Sequence, residues 1–181
     1  KKMKILLLNG SPRRGNTYTA LEVLKRSFAN IPNAEVSQID TNKVEVASCI
    51  ACEYCKKHGK CFVKDDTNAV IDAIVSADVL IFATPVYWWG ISSQLKAIID
   101  KFYSRQQTLL TQKKKLGSIV SGQLSTDNAQ YAIILKQFEC ICDYLGWDYL
   151  FCKTYSVYEK DDMKKNETAL SELAQLWEKI V

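Results

Sequence analysis

Residues 4–21 read KILLLNGSPRRGNTYTAL. The first six are a continuous apolar run stopped by Gly10 and Pro12, the pattern of a strand buried on both faces. From Thr17 the spacing becomes helical, with Ala20, Leu21, Leu24 and Phe28 on one side. A strand of this kind feeding a helix belongs to a parallel sheet whose faces helices cover.

The same alternation continues along the chain. Ala34–Asp40 (AEVSQID) reads as a more polar strand, which places it at a sheet edge. Asp65, Asp66 and Thr67 offer cap chemistry for a helix through Val70, Ile71 and Ile74. DVLIFAT (78–84) is another apolar strand, and residues 92–102 carry Leu95, Ile98, Ile99 and Phe102 at helical spacing. LGSIVS (116–121) is a strand and 128–145 a helix through Ile134, Phe138, Ile141 and Leu145. A last strand falls within 147–157, and a last helix within 166–180 turns Leu170, Leu173, Trp177 and Ile180 inward. The expectation is one α/β domain over residues 1–181: a three-layer sandwich with a five-stranded parallel sheet.

Composition narrows the class. The 181 residues are 48% hydrophobic and 24% charged, with a net charge of +4 spread along the chain. The only basic run, Lys113–Lys115, reads as a solvated loop, so no nucleic-acid partner is expected. No apolar run is long enough to cross a membrane, and KKMKILLLNG lacks the long apolar stretch of a secretory signal. A cytoplasmic location is expected, where thiols stay reduced.

In doubly wound sheets ligands bind beyond the carboxyl ends of the strands. Three loops qualify: 10–17, 85–92 and 121–127. The first joins strand to helix as NGSPRRGNT. A helix N-terminus offers unpaired N–H groups and partial positive charge to an anion. Ser11, Asn16 and Thr17 add polar groups, Arg13 and Arg14 add charge, and Gly10 and Gly15 let the chain turn tightly. It has neither a Gly-Lys-Ser/Thr triplet nor G-x-G-x-x-G, so a single terminal phosphate is the better reading. The second loop, TPVYWWGIS, sets Tyr87, Trp88 and Trp89 between Pro85 and Gly90. Such rings are costly to expose without a flat apolar partner or another subunit. At least one of the three is expected to pack as a small core under the next helix.

A phosphate loop beside an aromatic shelf suits a mononucleotide with a planar ring. The pairing of KILLLNGSPRRGNT with ADVLIFATPVYWWGISSQLKAIIDK resembles the flavodoxin-like NADPH-dependent FMN reductase family. The intervening CIACEYCKKHGKCFVKDD is similar to that family's iron–sulfur flavoprotein branch. The resemblance, over about residues 3–150, implies strand order 2-1-3-4-5. It implies that Ser11, Arg13, Asn16 and Thr17 surround the FMN phosphate. Pro85, Val86, Tyr87, Trp88, Trp89 and Gly90 would border the isoalloxazine, and Ser121, Gly122 and Gln123 would close the pocket. It further implies hydride transfer from NAD(P)H to the flavin, with electrons passed to a quinone, a flavin or another small acceptor.

Cys49, Cys52, Cys55 and Cys61 follow C-x₂-C-x₂-C-x₅-C. Seven cysteines in a reducing compartment do not make a disulfide scaffold. Zinc usually draws on two separated C-x₂-C pairs, whereas three close cysteines and a fourth nearby fit a cubane cluster. The resemblance also points to [4Fe–4S]. A loop that keeps its cysteines without any cluster, packed on a second subunit, stays open as an alternative. Cys140, Cys142 and Cys152 read as buried packing residues, and His58 as an exposed turn residue. Two other functions stay open: an electron carrier served by a ferredoxin-like protein, and a non-enzymatic redox sensor. The excursion 41–65 is long for a compact α/β domain and carries Val44, Val46, Ile50, Tyr54, Phe62 and Val63. A homodimer, or a tetramer built from dimers, is expected to cover it.

Overall fold

A computed structural model describes residues 2–181. The sheet runs β1 (Met3–Asn9), β2 (Ala34–Asp40), β3 (Val79–Pro85), β4 (Lys115–Gly122) and β5 (Asp148–Ser156), all parallel, in the order 2-1-3-4-5. The helices are α1 (Asn16–Ser27), α2 (Tyr54–His58), α3 (Thr67–Ser76), α4 (Ser93–Asp100), α5 (Gln106–Thr111), α6 (Ala129–Leu145), α7 (Asp162–Lys165) and α8 (Glu167–Gln175). This is the three-layer sandwich expected from the alternation, with the strand order that the resemblance to the flavodoxin-like family implies.

The apolar runs work as predicted. Leu6, Leu8, Leu80, Phe82, Leu116 and Val120 face α3, α4 and α6, while Ile5, Leu7, Val79, Ile81 and Ile119 face α1 and α8. Period-2 alternation sends each strand's side chains to two separate cores, so a central strand needs apolar residues throughout. β2 at the edge has no fully buried residue, in keeping with its polar sequence.

Boundaries shift where side chains take over from periodicity. Asn128 caps α6 by accepting from Gln130 N, and Asn166 caps α8 by accepting from Ala169 N. Residues 101–105 tighten into a 3₁₀ turn that ends the helix expected over 92–102, and α5 after it was not read from the sequence. The register between β4 and β5 slips at Leu116/Gly117, where a Cβ on Gly117 would stand 2.4 Å from the Phe151 ring. Only glycine admits that ring.

Candidate functional site

The carboxyl ends of β1, β3 and β4 open into a cleft of about 720 Å³. Ser11, Arg13, Asn16 and Thr17 line it from the first loop, and Pro85 to Trp89 from the second. Ser121, Gly122 and Gln123 line it from the third. Of the predicted set only Gly90 lies outside the lining. Its role is to close the second loop: Tyr87 N–H donates to Gly90 O at 2.9 Å, and Gly90 N–H to Tyr87 O at 3.0 Å.

Each loop is built by local bonds. Gly10 N–H donates to Ala83 O at 2.7 Å, and a Cβ there would lie 2.9 Å from both Ala83 O and Ser92 Oγ. Glycine is therefore required where the loop crosses β3. Gly15 is different: its φ is −134° and a Cβ there would make only ordinary contacts, at 3.5 Å and beyond, so the tight turn does not depend on it. The Asn9 side chain accepts from Ser11 N–H at 3.1 Å, and Ser11 Oγ donates to Arg13 O at 2.8 Å. Thr17 and Ser121 hydroxyls meet at 2.5 Å and tie the first loop to the third. Asn16 is committed elsewhere: its Nδ2 donates to Glu159 O and its Oδ1 accepts from Met163 N–H. It holds the segment after β5 and leaves its side chain little for a ligand. Arg13 is exposed at the rim, where any charge it offers is screened by solvent.

Trp88 and Trp89 both take left-handed φ, 47° and 60°. With the paired Tyr87–Gly90 bonds this is a tight turn of the kind that favours Asn-Gly, so two tryptophans there hold strain of about 1–3 kcal/mol each. Tyr87, Trp88 and Trp89 are all exposed, Trp88 at 92%. The expectation of a ring packed under α4 is not met; Ile91 fills that place.

Leu124, inside the third candidate loop, also lines the cleft, as do Gln130, Val157 and Tyr158, which escaped the sequence reading. Gln130 is 5% exposed, and its Nε2 makes no hydrogen bond of good geometry among the described residues, although the Tyr131 hydroxyl lies beside it and feels its N–H. Such an orphaned donor at a cleft wall matches an acceptor on a ligand. A Cβ on Gly122 would stand 2.8 Å from that nitrogen and 2.9 Å from Val86 Cγ2, so the cradle exists because residue 122 has no side chain. Among the described residues no carboxylate, lysine, histidine or cysteine lines the cleft.

The cysteine excursion lies apart. Cys49, Cys52, Cys55 and Cys61 line one small cavity of about 30 Å³. All seven cysteines of the chain are free thiols. Burial raises the Cys55 thiol pKa, and Cys52, Cys49 and Cys61 nearby add to the rise. The four sulfurs share a cavity, yet among the described residues no group of three or more potential ligands is set to hold an ion. Cys49 and Cys52 sit exposed on irregular chain, with Ala51 and Glu53 at φ 53° and 59° between Cys49 and Cys55. The excursion folds partly back on its own domain, since Val44 and Val46 pack on the α3–α4–α6 core. Ile50, Tyr54 and Phe62 stay exposed. His58 is exposed, stacked on Tyr54 with centroids 4.0 Å apart. Cys142 is buried, which pushes its thiol up to about 12 with Asp143 and Asp148 adding, but Cys140 is exposed, contrary to expectation.

The profile of the family described as NADPH-dependent FMN reductase matches residues 3–138. An iron–sulfur flavoprotein of Methanocaldococcus jannaschii is 33% identical over 134 residues, covering 73% of this chain and 68% of that protein. A putative NAD(P)H-dependent FMN-containing oxidoreductase of Bacillus subtilis is 28% identical over 187 residues and 96% of both chains. Among solved structures, an NAD(P)H:quinone oxidoreductase from Methanothermobacter marburgensis superposes with a TM-score of 0.74 at 15% identity over all of both chains, a likeness of fold.

Proposed function

This chain belongs to the NADPH-dependent FMN reductase family, and from that premise we propose that it is an NAD(P)H-dependent oxidoreductase that holds FMN in the cleft. Electrons would leave for a quinone- or flavin-type acceptor. The observation that carries the reading is the convergence of three loops on one cleft: a helix N-terminus, an aromatic shelf and an unpartnered donor.

FMN supplies hydride acceptance from a nicotinamide and the onward release of electrons. The chain's own residues bind and shield. The first turn of α1, Ser11 and Thr17 receive the phosphate, and Arg13 adds charge at the rim. Pro85, Val86, Tyr87 and Trp89 supply apolar surface that limits water, and Gln130 Nε2 offers a hydrogen bond to a ligand oxygen. A lining without titratable carboxylate or imidazole suits chemistry carried by a cofactor rather than by a side-chain acid–base pair. One helix terminus accommodates one phosphate, which favours FMN over FAD. Chromatography of the released flavin, with steady-state NADPH oxidation by a quinone, tests this; FAD in the eluate, or no flavin, overturns it.

The cysteines favour a second reading alongside the first. Four thiols around one cavity would hold a [4Fe–4S] centre, with Cys49, Cys52, Cys55 and Cys61 as ligands. The protein would then also exchange electrons with a ferredoxin-like partner. Exposed Ile50, Tyr54 and Phe62 support a homodimer or tetramer joined through residues 41–65. Free thiols throughout fit a cytoplasmic location. No helix among the described residues is long and apolar enough to cross a membrane. Iron and sulfide analysis after anaerobic purification tests the cluster, and sedimentation equilibrium tests the assembly.

A further inference from the structure

The four cysteines are held very unequally. Cys61 is fixed to two helical elements. Asn68 on α3 accepts from Cys61 N–H and donates to Cys61 O, both at 2.9 Å. Lys101, in the turn after α4, brings its Nζ to 3.6 Å from Cys61 Sγ. Lys101 also lines the cysteine cavity and is only 3% exposed.

A buried ammonium costs several kcal/mol unless negative charge or good acceptors surround it. Lys114 shows how this chain meets that cost elsewhere. Its buried Nζ donates to the carbonyls of Val75 and Ala77 at the end of α3, groups that carry partial negative charge. Lys101 has a thiol where Lys114 has carbonyls, and a neutral thiol is a weak acceptor. Asp65 offers charge nearby, and the two charges attract, but its oxygens hydrogen-bond to the N–H groups of Ala47 and Thr67 and not to the ammonium. The group within hydrogen-bonding reach of Nζ is the Cys61 sulfur. Four thiolates around a metal centre are net anionic, and they would give the ammonium a directly bonded anionic partner.

We infer that Lys101 is the counter-charge of the four-cysteine site, holding an anionic metal–thiolate centre through Cys61. The inference rests on the reading that these cysteines bind metal, but it does not depend on which metal. Lys101 is a positioning residue here. It makes Cys61 the anchored ligand, onto which the exposed Cys49 and Cys52 close. A purely structural lysine would affect folding and leave metal retention unchanged.

The test compares the parent protein with Lys101→Met and Lys101→Arg. Each is reconstituted anaerobically with ferrous iron and sulfide, and in parallel titrated with Co²⁺, whose thiolate absorption reports binding. Far-UV circular dichroism and thermal melting verify folding. The expected result is that Lys101→Met gives up its metal to a chelator at least about tenfold more readily, while Lys101→Arg stays near the parent. A Met variant that folds and holds iron and Co²⁺ as tightly as the parent overturns the inference. If the parent assembles no iron–sulfur centre yet binds Co²⁺ with the same dependence on Lys101, the inference stands and the cluster reading falls. If the parent binds neither metal, both fall. Should Lys101→Met not fold, Lys101→Gln keeps a donor without charge and carries the same comparison.

Discussion

The cleft and the cysteine excursion occupy the same domain and reach readiness in opposite ways. The cleft is finished before any ligand arrives, because its loops leave buried parallel strands and are tied by Gly10 to Ala83, Thr17 to Ser121, and Tyr87 to Gly90. The excursion gathers its four sulfurs round one cavity without bringing them to ligating positions. Rigid sheet edges can preorganise a site at no cost to the ligand, whereas thiolate sites commonly complete their geometry only with metal. If that contrast is right, the two regions can be damaged independently.

The largest effect is expected at Gly122. Gly122→Val places branched carbon where Gln130 Nε2, the Tyr131 hydroxyl and Val86 already meet a Cβ at 2.8–2.9 Å. Flavin affinity is expected to fall about 100-fold, near 2.7 kcal/mol and within the range for overpacking. Equilibrium dialysis measures it, and metal uptake by the cysteines is expected to be unchanged. A variant that keeps its flavin would show the cleft to be pliable and would erase the contrast.

A smaller loss is expected at the phosphate loop. Thr17→Ala removes a buried hydroxyl and strands that of Ser121, so it is expected to weaken FMN binding by about 1–3 kcal/mol. Arg13→Ala belongs at the lower end, about 1 kcal/mol or less, because the side chain is exposed. Raising the salt concentration is expected to shrink the Arg13 effect and leave that of Thr17. Unchanged affinity in the double variant means that the anion sits elsewhere.

The gap between what could and could not be read in the sequence follows the same line. All five strands were legible to within about two residues: in β1, β3 and β4 burial on both faces forces an unbroken apolar run such as Leu80–Ala83, and the less buried β2 and β5 were read from their place in the strand–helix alternation. The three loops were legible because topology alone puts them at one end of the sheet. Gln130 was not, because its value lies in a missing partner, which no spacing encodes. Val157 and Tyr158 could have been found by extending the same argument to the end of β5. The left-handed Trp88–Trp89 turn contradicts its own local sequence preference, so only tertiary structure reveals it. The inward lysine at 101 was hidden for a similar reason: Lys is a surface residue by default, and the helical spacing of Ile98, Ile99 and Phe102 says nothing about where its ammonium ends.

Gln130 allows a sharper test, because its two effects have opposite signs. In the ligand-free protein a buried donor without a partner is a cost. Gln130→Leu is therefore expected to raise the stability of the flavin-free protein by about 1 kcal/mol, read as a higher Tm. It is also expected to weaken flavin binding by about 0.5–1.5 kcal/mol. A fall in both would show that Gln130 supports the fold and does not serve the ligand.

The smallest effect is expected at Asp65, which pins the base of the excursion by accepting from Ala47 N–H and Thr67 N–H, both at 2.9 Å. Burial alone would raise its pKa, but those N–H groups and the charge of Lys101 outweigh it and hold the carboxyl below its usual 3.8. A group depressed in the folded state stabilises fully above its unfolded value, and that contribution is lost as pH falls through the folded value. The protection of the Ala47 and Thr67 amides, taken relative to their intrinsic exchange rate at each pH, is therefore expected to hold at neutral pH and to fall only below about pH 4. In Asp65→Asn those amides are expected to exchange faster by about 0.5 kcal/mol at neutral pH, with no further acid step. Flavin affinity is expected to stay within about twofold of the parent throughout. Should it fall together with the loop's protection, the cleft and the excursion would be one cooperative unit, and their separate modes of readiness would have to be given up.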